Sequence, residues 1–225
     1  MAPIGKLYGH PLQPQTNAIL SAAAISGLEI ESLPFEFGVT NKSPEFLQKF
    51  PLAKIPAFES NDGLRLIEGA AIARYVSSLV PEAGLLGRNA RETALVDQWV
   101  HFAESEIQIP ASTIYIGLVP KYLPAFGQEV CLYRFQRLAR SLKFLEDHLA
   151  TRPSGFLVND DVTLADIILA TSTRRVGQTI CGATEREQLY PRVFAHYERV
   201  VSDKRISALF AESKFVETPL TVQAQ

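Results

Sequence analysis

Two short stretches of the sequence carry groups that could bind a charged, peptide-like molecule. In the first, Ile55 precedes Pro56 at the start of a predicted strand, where a proline normally removes one sheet hydrogen bond. If the bond between them is cis, at a cost of roughly 0.5–1 kcal/mol, the N–H and C=O of Ile55 turn outward together and can pair with an extended ligand. In the second, Glu68 and Gly69 open a predicted helix, whose free N–H groups favour a carboxylate.

The elements that position these residues alternate between strands and helices in the first 80 residues. Thr16 or Asn17 is the predicted cap of the first helix, and Ser43, followed by Pro44, is the predicted cap of the second. The predicted strands are 4–8, 29–35, 55–60 and 64–68, and the predicted helices are 18–27, 43–50 and 69–80. The last two strands form a hairpin, so the order is βαβαββα.

The pattern changes after a stretch rich in Gly and Pro, residues 80–90. All later segments have helical spacing of apolar residues. They are 91–107, 129–150, 163–176 and 190–203. The sequence therefore predicts two domains, an α/β domain at 1–80 and an all-helical domain at 90–225.

The composition excludes several classes of ligand. Among 225 residues, 22 are basic and 24 acidic, with no basic block of the kind that neutralises nucleic-acid phosphates. Cys131 and Cys181 stand alone, without the clustering that holds zinc, so we expect no metal site. The sequence lacks a signal-peptide pattern and a long apolar run, which predicts a cytoplasmic protein without membrane contact.

The motifs together resemble a cytosolic glutathione transferase. The resemblance rests on the βαβαββα order, the Lys-Ile-Pro turn at 54–56, and the Glu-Gly-Ala-Ala-Ile-Ala run at 68–73 that enters a helix. Residues 38–60 are especially similar to the glutathione-transferase-like domain of the gamma subunit of the translation elongation factor complex. Thr163 and Asp166 resemble the family's capping motif. The resemblance covers nearly the whole chain and implies a thioredoxin-like N-terminal domain followed by helices.

The resemblance also implies that glutathione is bound by the first domain. Ile55 would pair through its backbone with the cysteinyl residue, and Pro56 would hold the turn. Lys42 and Lys54 would meet the glycyl carboxylate, although both lysines would otherwise be read as solvated surface residues.

Glu68 and the N–H of Gly69 would bind the γ-glutamyl end in the same comparison. Family members usually have Ser after this Glu, and Gly69 lacks the hydroxyl that Ser would offer. The loss of one charge-assisted hydrogen bond is worth about 1.5–3 kcal/mol in a dry site, so we expect weaker glutathione binding.

A thiol with a pKa of about 8.5 needs donors or positive potential nearby to become a thiolate at neutral pH. Related enzymes use a Tyr or Ser hydroxyl after the first strand. Here the alignment puts Gln13 at the Ser position and Asn17 where an Arg often lies, while Tyr8 is expected to point into the sheet. We expect Gln13 and Asn17 to be catalytic and to orient a modestly activated thiolate. Other candidates are Gln15, Thr16, His10 and the helix N-terminus, and these polar groups could also merely cap the helix.

The second substrate would bind apolar residues of the helical domain. His101 and Ser105 lie along the first long helix, Tyr115 lies in an apolar cluster after it, and Leu12 could supply an opposite wall. A solvated helix face or core packing explains several of these residues equally well, and Trp99 is expected to be core.

Three functions remain open from the sequence. The first is an enzyme that adds the glutathione thiolate to a hydrophobic electrophile, giving a conjugate or, after reversible addition, an isomerised double bond. The second is a non-catalytic interaction module like the elongation-factor domain, although a free-standing chain favours an enzyme. The third is a binding protein for hydrophobic ligands. The family resemblance implies a homodimer, with the first domain of one chain meeting the helical half of the other.

Overall fold

The computed structural model describes residues 2–118, 128–211 and 214–220, without the side chains of 128–132. The chain divides into two compact units, Met1–Leu86 and Gly87–Gln225.

The first unit is built on a four-stranded mixed sheet. Its strands are β1 (Gly5–Tyr8), β2 (Glu31–Leu33), β3 (Ala57–Ser60) and β4 (Arg65–Ile67). They lie in the order β2-β1-β3-β4, with β1 parallel to β2 and antiparallel to β3. The register pairs Tyr8 with Ala57, so the loop after β1 begins beside the residue that follows Pro56.

Three helices complete this unit, α1 (Pro14–Ile25), α2 (Pro44–Lys49) and α3 (Gly69–Ser78). Ser43 caps α2 as predicted, because its Oγ accepts a hydrogen bond of 3.2 Å from the N–H of Phe46. The predicted cap of α1 is wrong. The helix begins with Pro14 after Gln13, since the fixed φ of proline suits a first helical turn.

The core of the first unit lies between the sheet and two of the helices. Helix α1 packs against α3, and Leu7, Ile19, Phe58 and Ile72 are fully buried. This packing fixes the two helix N-termini that the sequence assigned to ligand binding.

The second unit contains helices α4 (Ala90–Phe102), α5 (Ile109–Leu118), α6 (Gln128–Ala150), α7 (Leu164–Gly177) and α8 (Pro191–Val201). A π-helical turn, Ala103–Gln108, joins α4 to α5 just before Pro110. A proline inside a helix clashes with the carbonyl four residues earlier, and the wider turn relieves that clash. Together with the first unit, these helices confirm the predicted fold class.

The predicted capping motif of α7 is confirmed in atomic detail. Asp166 is fully buried, and its Oδ2 accepts hydrogen bonds from the N–H and Oγ1 of Thr163 at 2.8 and 2.6 Å. Its Oδ1 accepts from the N–H of Leu157 at 2.8 Å and from Nε2 of His196 at 2.9 Å. One carboxylate therefore ties together α7, α8 and the loop before α7.

The sequence predicts a protein without membrane contact and without a metal site. Within residues 2–118, 128–211 and 214–220, no helix is long and apolar enough to cross a bilayer. The same ranges contain no group of three or more His, Cys, Asp or Glu side chains arranged to hold a metal ion.

Candidate functional site

The loop between β1 and α1 places Gln13 against the turn at Ile55. Nε2 of Gln13 donates a hydrogen bond of 2.9 Å to the carbonyl oxygen of Ile55, and the Ile55–Pro56 bond is cis. The other end of the amide, Oε1, accepts a hydrogen bond of 3.0 Å from Oγ1 of Thr16. The amide is thus held at both ends. Nε2 carries two N–H groups, so one donor remains for a further partner.

Asn17 lies one helical turn after Gln13, with its N–H bonded to the carbonyl oxygen of Gln13 at 3.1 Å. Its side chain is almost completely buried, at 1% exposure. Among the described residues, Nδ2 of Asn17 has no hydrogen-bond partner. Buried amide donors are nearly always satisfied, so this N–H stands out as a group without a partner in the described part of the chain.

The other polar groups of this loop are less suited to contact a thiol. The ring of Tyr8 packs edge-on against Phe46 and Phe50, with centroid distances of 5.3 and 5.7 Å. His10 is exposed, and its Nδ1 accepts a hydrogen bond of 3.2 Å from the N–H of Leu12. Leu12 itself is 57% exposed.

Glu68 and Gly69 stand at the start of α3 in an unusual backbone conformation. Glu68 has a φ of 69°, which is rare for a residue with a side chain, and its side chain is exposed. Gly69 is buried, and a Cβ added to it would lie 2.5 Å from Cβ of Gln15 and 2.9 Å from its Cγ. The first turn of α1 therefore leaves no room for a side chain at position 69 in this structure.

Lys42 and Lys54 come from separate segments that a third residue ties together. Asn41 is buried, and its Nδ2 donates a hydrogen bond of 2.9 Å to the carbonyl oxygen of Ala53. Its Oδ1 accepts one of 2.7 Å from the N–H of Gly38. Sequence reasoning missed Asn41. The one signal in the sequence was the amide of Asn41 beside the candidate residue Lys42. No pattern in the sequence identifies Ala53 as its partner.

The charges of the first unit divide into paired and unpaired groups. Nζ of Lys49 lies 2.8 Å from Oε2 of Glu59, and Nε of Arg65 lies 3.0 Å from Oε1 of the same carboxylate. The hydrogen bond from Lys49 lowers the pKa of Glu59. By contrast, within the described residues Lys42, Lys54 and Glu68 have no ion-pair partner. These three exposed charges remain available to a ligand.

The predicted substrate residues of the helical unit are described within that unit alone. Oγ of Ser105 donates a hydrogen bond of 2.7 Å to the carbonyl oxygen of His101, and both side chains are exposed. Tyr115 is half-buried, and the guanidinium carbon of Arg175 lies 4.6 Å from the centre of its ring. Trp99 is 3% exposed, as expected for a core residue. The substrate role of these residues stays a prediction.

The one cysteine whose side chain is described cannot act as a nucleophile at neutral pH. Cys181 is 2% exposed, and burial raises the pKa of its thiol to about 12. Cys131 lies outside the described side chains. Buried cysteines of this kind are inert, so Cys181 is part of the core of the helical unit.

Each of the two units matches known proteins in sequence. Residues 3–78 match the family model "Glutathione S-transferase, N-terminal domain", and residues 96–199 match "Glutathione S-transferase, C-terminal domain". The glutathione S-transferase-like protein LUC7 of a Fusarium species is 37% identical over 221 residues, covering 96% of this chain and 97% of that protein. Elongation factor 1-gamma of Artemia salina is 34% identical over 95% of this chain, but the match spans only 48% of that protein.

Solved structures give the same fold. The GST-like domain of elongation factor 1-gamma from Saccharomyces cerevisiae aligns with a TM-score of 0.84 at 20% identity, covering 99% of this chain and 100% of the domain. The glutathione transferase URE2P6 from Phanerochaete chrysosporium, solved in complex with oxidized glutathione, aligns with a TM-score of 0.84 at 21% identity, covering 94% and 97%. With family models matching both units and a relative at 37% identity along nearly its full length, the chain belongs to the glutathione S-transferase family.

Proposed function

We propose that this protein is an enzyme that adds the thiolate of glutathione to a hydrophobic electrophile. The observation that carries the proposal is the 2.9 Å hydrogen bond between Nε2 of Gln13 and the carbonyl oxygen of Ile55. Ile55 is the candidate partner of the cysteinyl backbone, and Gln13 is the candidate partner of its thiol. In one cysteine residue, the backbone and the thiol are separated by only a few bonds. The groups that bind them must therefore be neighbours, as Ile55 and Gln13 are.

The charges around this point fit the two ends of glutathione. At the γ-glutamyl end, the exposed carboxylate of Glu68 suits an ammonium group, and the N–H of Gly69 at the start of α3 suits a carboxylate. At the glycyl end, Lys42 and Lys54 suit the second carboxylate, and Asn41 holds their two segments together through Ala53. Family membership and a fold relative solved with oxidized glutathione support the same ligand.

Glutathione supplies the nucleophilic thiol, and the residues of α1 would keep it deprotonated. Gln13 has one N–H left after its bond to Ile55, and its orientation is fixed by Thr16. Asn17 is 1% exposed and its Nδ2 has no partner among the described residues, so this amide would add positive potential within the first turn of α1 rather than contact the thiol at the surface. The free N–H groups at the start of α1 add positive potential. Amide donors carry no full charge, so they lower a thiol pKa only modestly. A modestly activated thiolate reacts well only with an electrophile that the site positions closely, so we expect activity on one such compound rather than on many.

The reaction on the second substrate has two candidate outcomes. In a conjugation, the sulfur bonds to an electrophilic carbon, and the product keeps the glutathione. In an isomerisation, the sulfur adds to a double bond and is later expelled, so the product contains no glutathione. We propose that Leu12, His101, Ser105 and Tyr115 contact this substrate.

The experiment that tests the proposal is a panel of hydrophobic electrophiles incubated with the protein, with and without glutathione. We expect glutathione-dependent turnover of at least one compound, and mass spectrometry of the product distinguishes a conjugate from an isomer. Gln13→Ala should slow turnover, whereas Gln188→Ala, which removes an exposed glutamine from the helical unit, should not. Equal rates in both variants would contradict a catalytic role for Gln13.

The alternative is a non-catalytic interaction module. It is favoured by the 34% identity to elongation factor 1-gamma, of which this chain matches about half the length. A protein of this kind would bind glutathione weakly or not at all and would turn over none of the panel. Glutathione-dependent turnover would therefore reject the alternative.

We further propose a cytoplasmic homodimer with apolar contacts from residues 69–79 and 91–99. Family analogy supports this arrangement. Sedimentation should give a species of twice the chain mass of 24.9 kDa. A single species at the chain mass, at micromolar concentration, would contradict it.

A further inference from the structure

One face of α8 carries three basic or titratable side chains at helical spacing. Arg192, His196 and Arg199 are at positions i, i+4 and i+7, so they lie along the same side of the helix. Opposite them are the end of α6 and the loop that follows it, including Arg152. A cavity of about 630 Å³ lies between the two. All residues that line it belong to the helical unit, and we refer to it as the α6–α8 cavity.

The cavity is lined by three arginines, Arg152, Arg192 and Arg199. Each is held in place by one contact and keeps further N–H groups. Nε of Arg152 donates a hydrogen bond of 3.1 Å to the carbonyl oxygen of Phe156. Nη1 of Arg192 donates one of 3.0 Å to Oε1 of Glu146. The guanidinium carbon of Arg199 lies 5.7 Å from the centre of the Phe156 ring. Guanidinium groups fixed in this way lose little freedom when they bind an anion.

The loop after α6 is shaped to accept Arg199. Gly155 has a φ of 74°, and a Cβ at this position would lie 2.9 Å from Nε of Arg199. The glycine therefore allows the guanidinium to lie directly against the loop, beside the cavity.

His196 supports the wall of the cavity from inside the helical unit. Its side chain is fully buried, and its Nε2 donates a hydrogen bond of 2.9 Å to Oδ1 of Asp166. This bond anchors α8 to the first turn of α7 at a point between Arg192 and Arg199.

We propose that the α6–α8 cavity binds a small molecule that carries phosphate or carboxylate groups. Arginine forks match the paired oxygens of both groups, and three of them surround the same space. The volume falls in the usual range of small-molecule sites and exceeds what one inorganic anion fills, so the ligand has a larger body. Glu198 also lines the cavity, so the anionic groups of the ligand would lie beside the arginines and away from this carboxylate. The proposal does not depend on the glutathione site.

Titration calorimetry of the full chain at low salt tests this proposal, with pyrophosphate and citrate as separate probes. We expect saturable binding of at least one probe at one site per chain. Arg152→Gln and Arg199→Gln should each weaken it about tenfold, the effect of losing one charge-assisted hydrogen bond. Arg140→Gln removes the same charge from an exposed position on α6 outside the cavity and should change affinity less than twofold.

The two probes distinguish the chemistry of the ligand. Tighter binding of pyrophosphate assigns a phosphate compound, and tighter binding of citrate assigns a carboxylate compound. The proposal is overturned if neither probe saturates, or if Arg140→Gln weakens binding as much as the cavity variants do.

Discussion

The side-chain amide of Gln13 and the main-chain carbonyl of Ile55 are joined by a hydrogen bond of 2.9 Å, although 42 residues separate them in the chain. The bond connects the loop after β1 with the turn before β3. These are the two places where the sequence predicts partners for the thiol and for the backbone of one cysteinyl residue. A carbonyl oxygen has two lone pairs, so Ile55 can keep Gln13 and still accept from a ligand N–H.

The close packing of Gln15 and Gly69 predicts that serine cannot improve the site at position 69. A Cβ at 69 would lie 2.5 Å from Cβ of Gln15, so Gly69→Ser must push the first turns of α1 and α3 apart. We expect a loss of about 1–3 kcal/mol in the free energy of unfolding, as for other overpacked sites, and weaker glutathione binding. Urea unfolding and calorimetry measure the two effects.

Ala139→Ser is the matched control, because it adds a hydroxyl at an exposed position on α6, outside the glutathione site. It should leave both quantities nearly unchanged. Tighter glutathione binding by Gly69→Ser, with parent-like stability, would show that the contact with Gln15 does not restrict this position.

Local signals in the sequence were sufficient for most elements of the fold. Ser43 followed by Pro44 identified the start of α2, and the predicted strands 55–60 and 64–68 identified the β3–β4 hairpin. The start of α1 was misplaced because Thr16 and Asn17 are good caps by type, whereas in the fold Thr16 bonds Gln13 and Asn17 is buried.

The site was less predictable, because its geometry depends on contacts between distant segments. The bond from Asn41 to Ala53, the approach of Gln15 to Gly69 and the bond from Gln13 to Ile55 all join residues with no shared local pattern. The absence of serine at position 69 is visible in the sequence, whereas the packing of Gln15 against this position is not. The α6–α8 cavity was also missed, although Arg192, His196 and Arg199 have the spacing of one helix face.

Asn41 should matter for glutathione affinity although it is expected to touch no ligand atom. Asn41→Ala removes the bonds to Ala53 and Gly38 that hold the segments of Lys42 and Lys54. We expect a loss of about 1–3 kcal/mol of stability from the unpaired buried groups, together with weaker glutathione binding in calorimetry. Asn61→Ala, at the exposed hairpin turn, is the control and should leave affinity unchanged. Parent-like affinity in Asn41→Ala would separate this residue from the site.

Asp166 should be among the most sensitive positions of the helical unit. Its carboxylate accepts four hydrogen bonds while fully buried, and Asp166→Asn turns one acceptor oxygen into a donor that faces other donors. We expect a loss of about 3–5 kcal/mol in the free energy of unfolding, measured with urea. Asp147→Asn, exposed on α6, should cost far less. Similar losses in the two variants would contradict the structural role of Asp166.

Glu106 should make stability depend on acid pH. Hydrogen bonds from Arg137 and Ser141 lower the pKa of this carboxyl in the folded state from its ordinary value of 4.5. The stabilisation is therefore present above pH 4.5 and is lost as the pH falls through the lower, folded-state pKa. Unfolding free energies of the parent and Glu106→Gln should differ at pH 7, and the difference should shrink as the pH falls below 4.5. A difference that stays constant from pH 7 into the acid range below 4.5 would reject the contribution.

The measurement that tests the central claim most directly is the pH titration of glutathione bound to the protein, followed by its ultraviolet thiolate absorbance. The thiol should titrate below the ordinary value of about 8.5. Gln13→Ala should raise its pKa towards that value because a donor to the thiolate is lost, and Asn17→Ala should also raise it. Gln15→Ala, a neighbouring glutamine that contacts Gly69 instead of Ile55, should titrate like the parent. If Gln13→Ala and Asn17→Ala both titrate like the parent, the thiol is activated elsewhere and the role given to Gln13 is wrong.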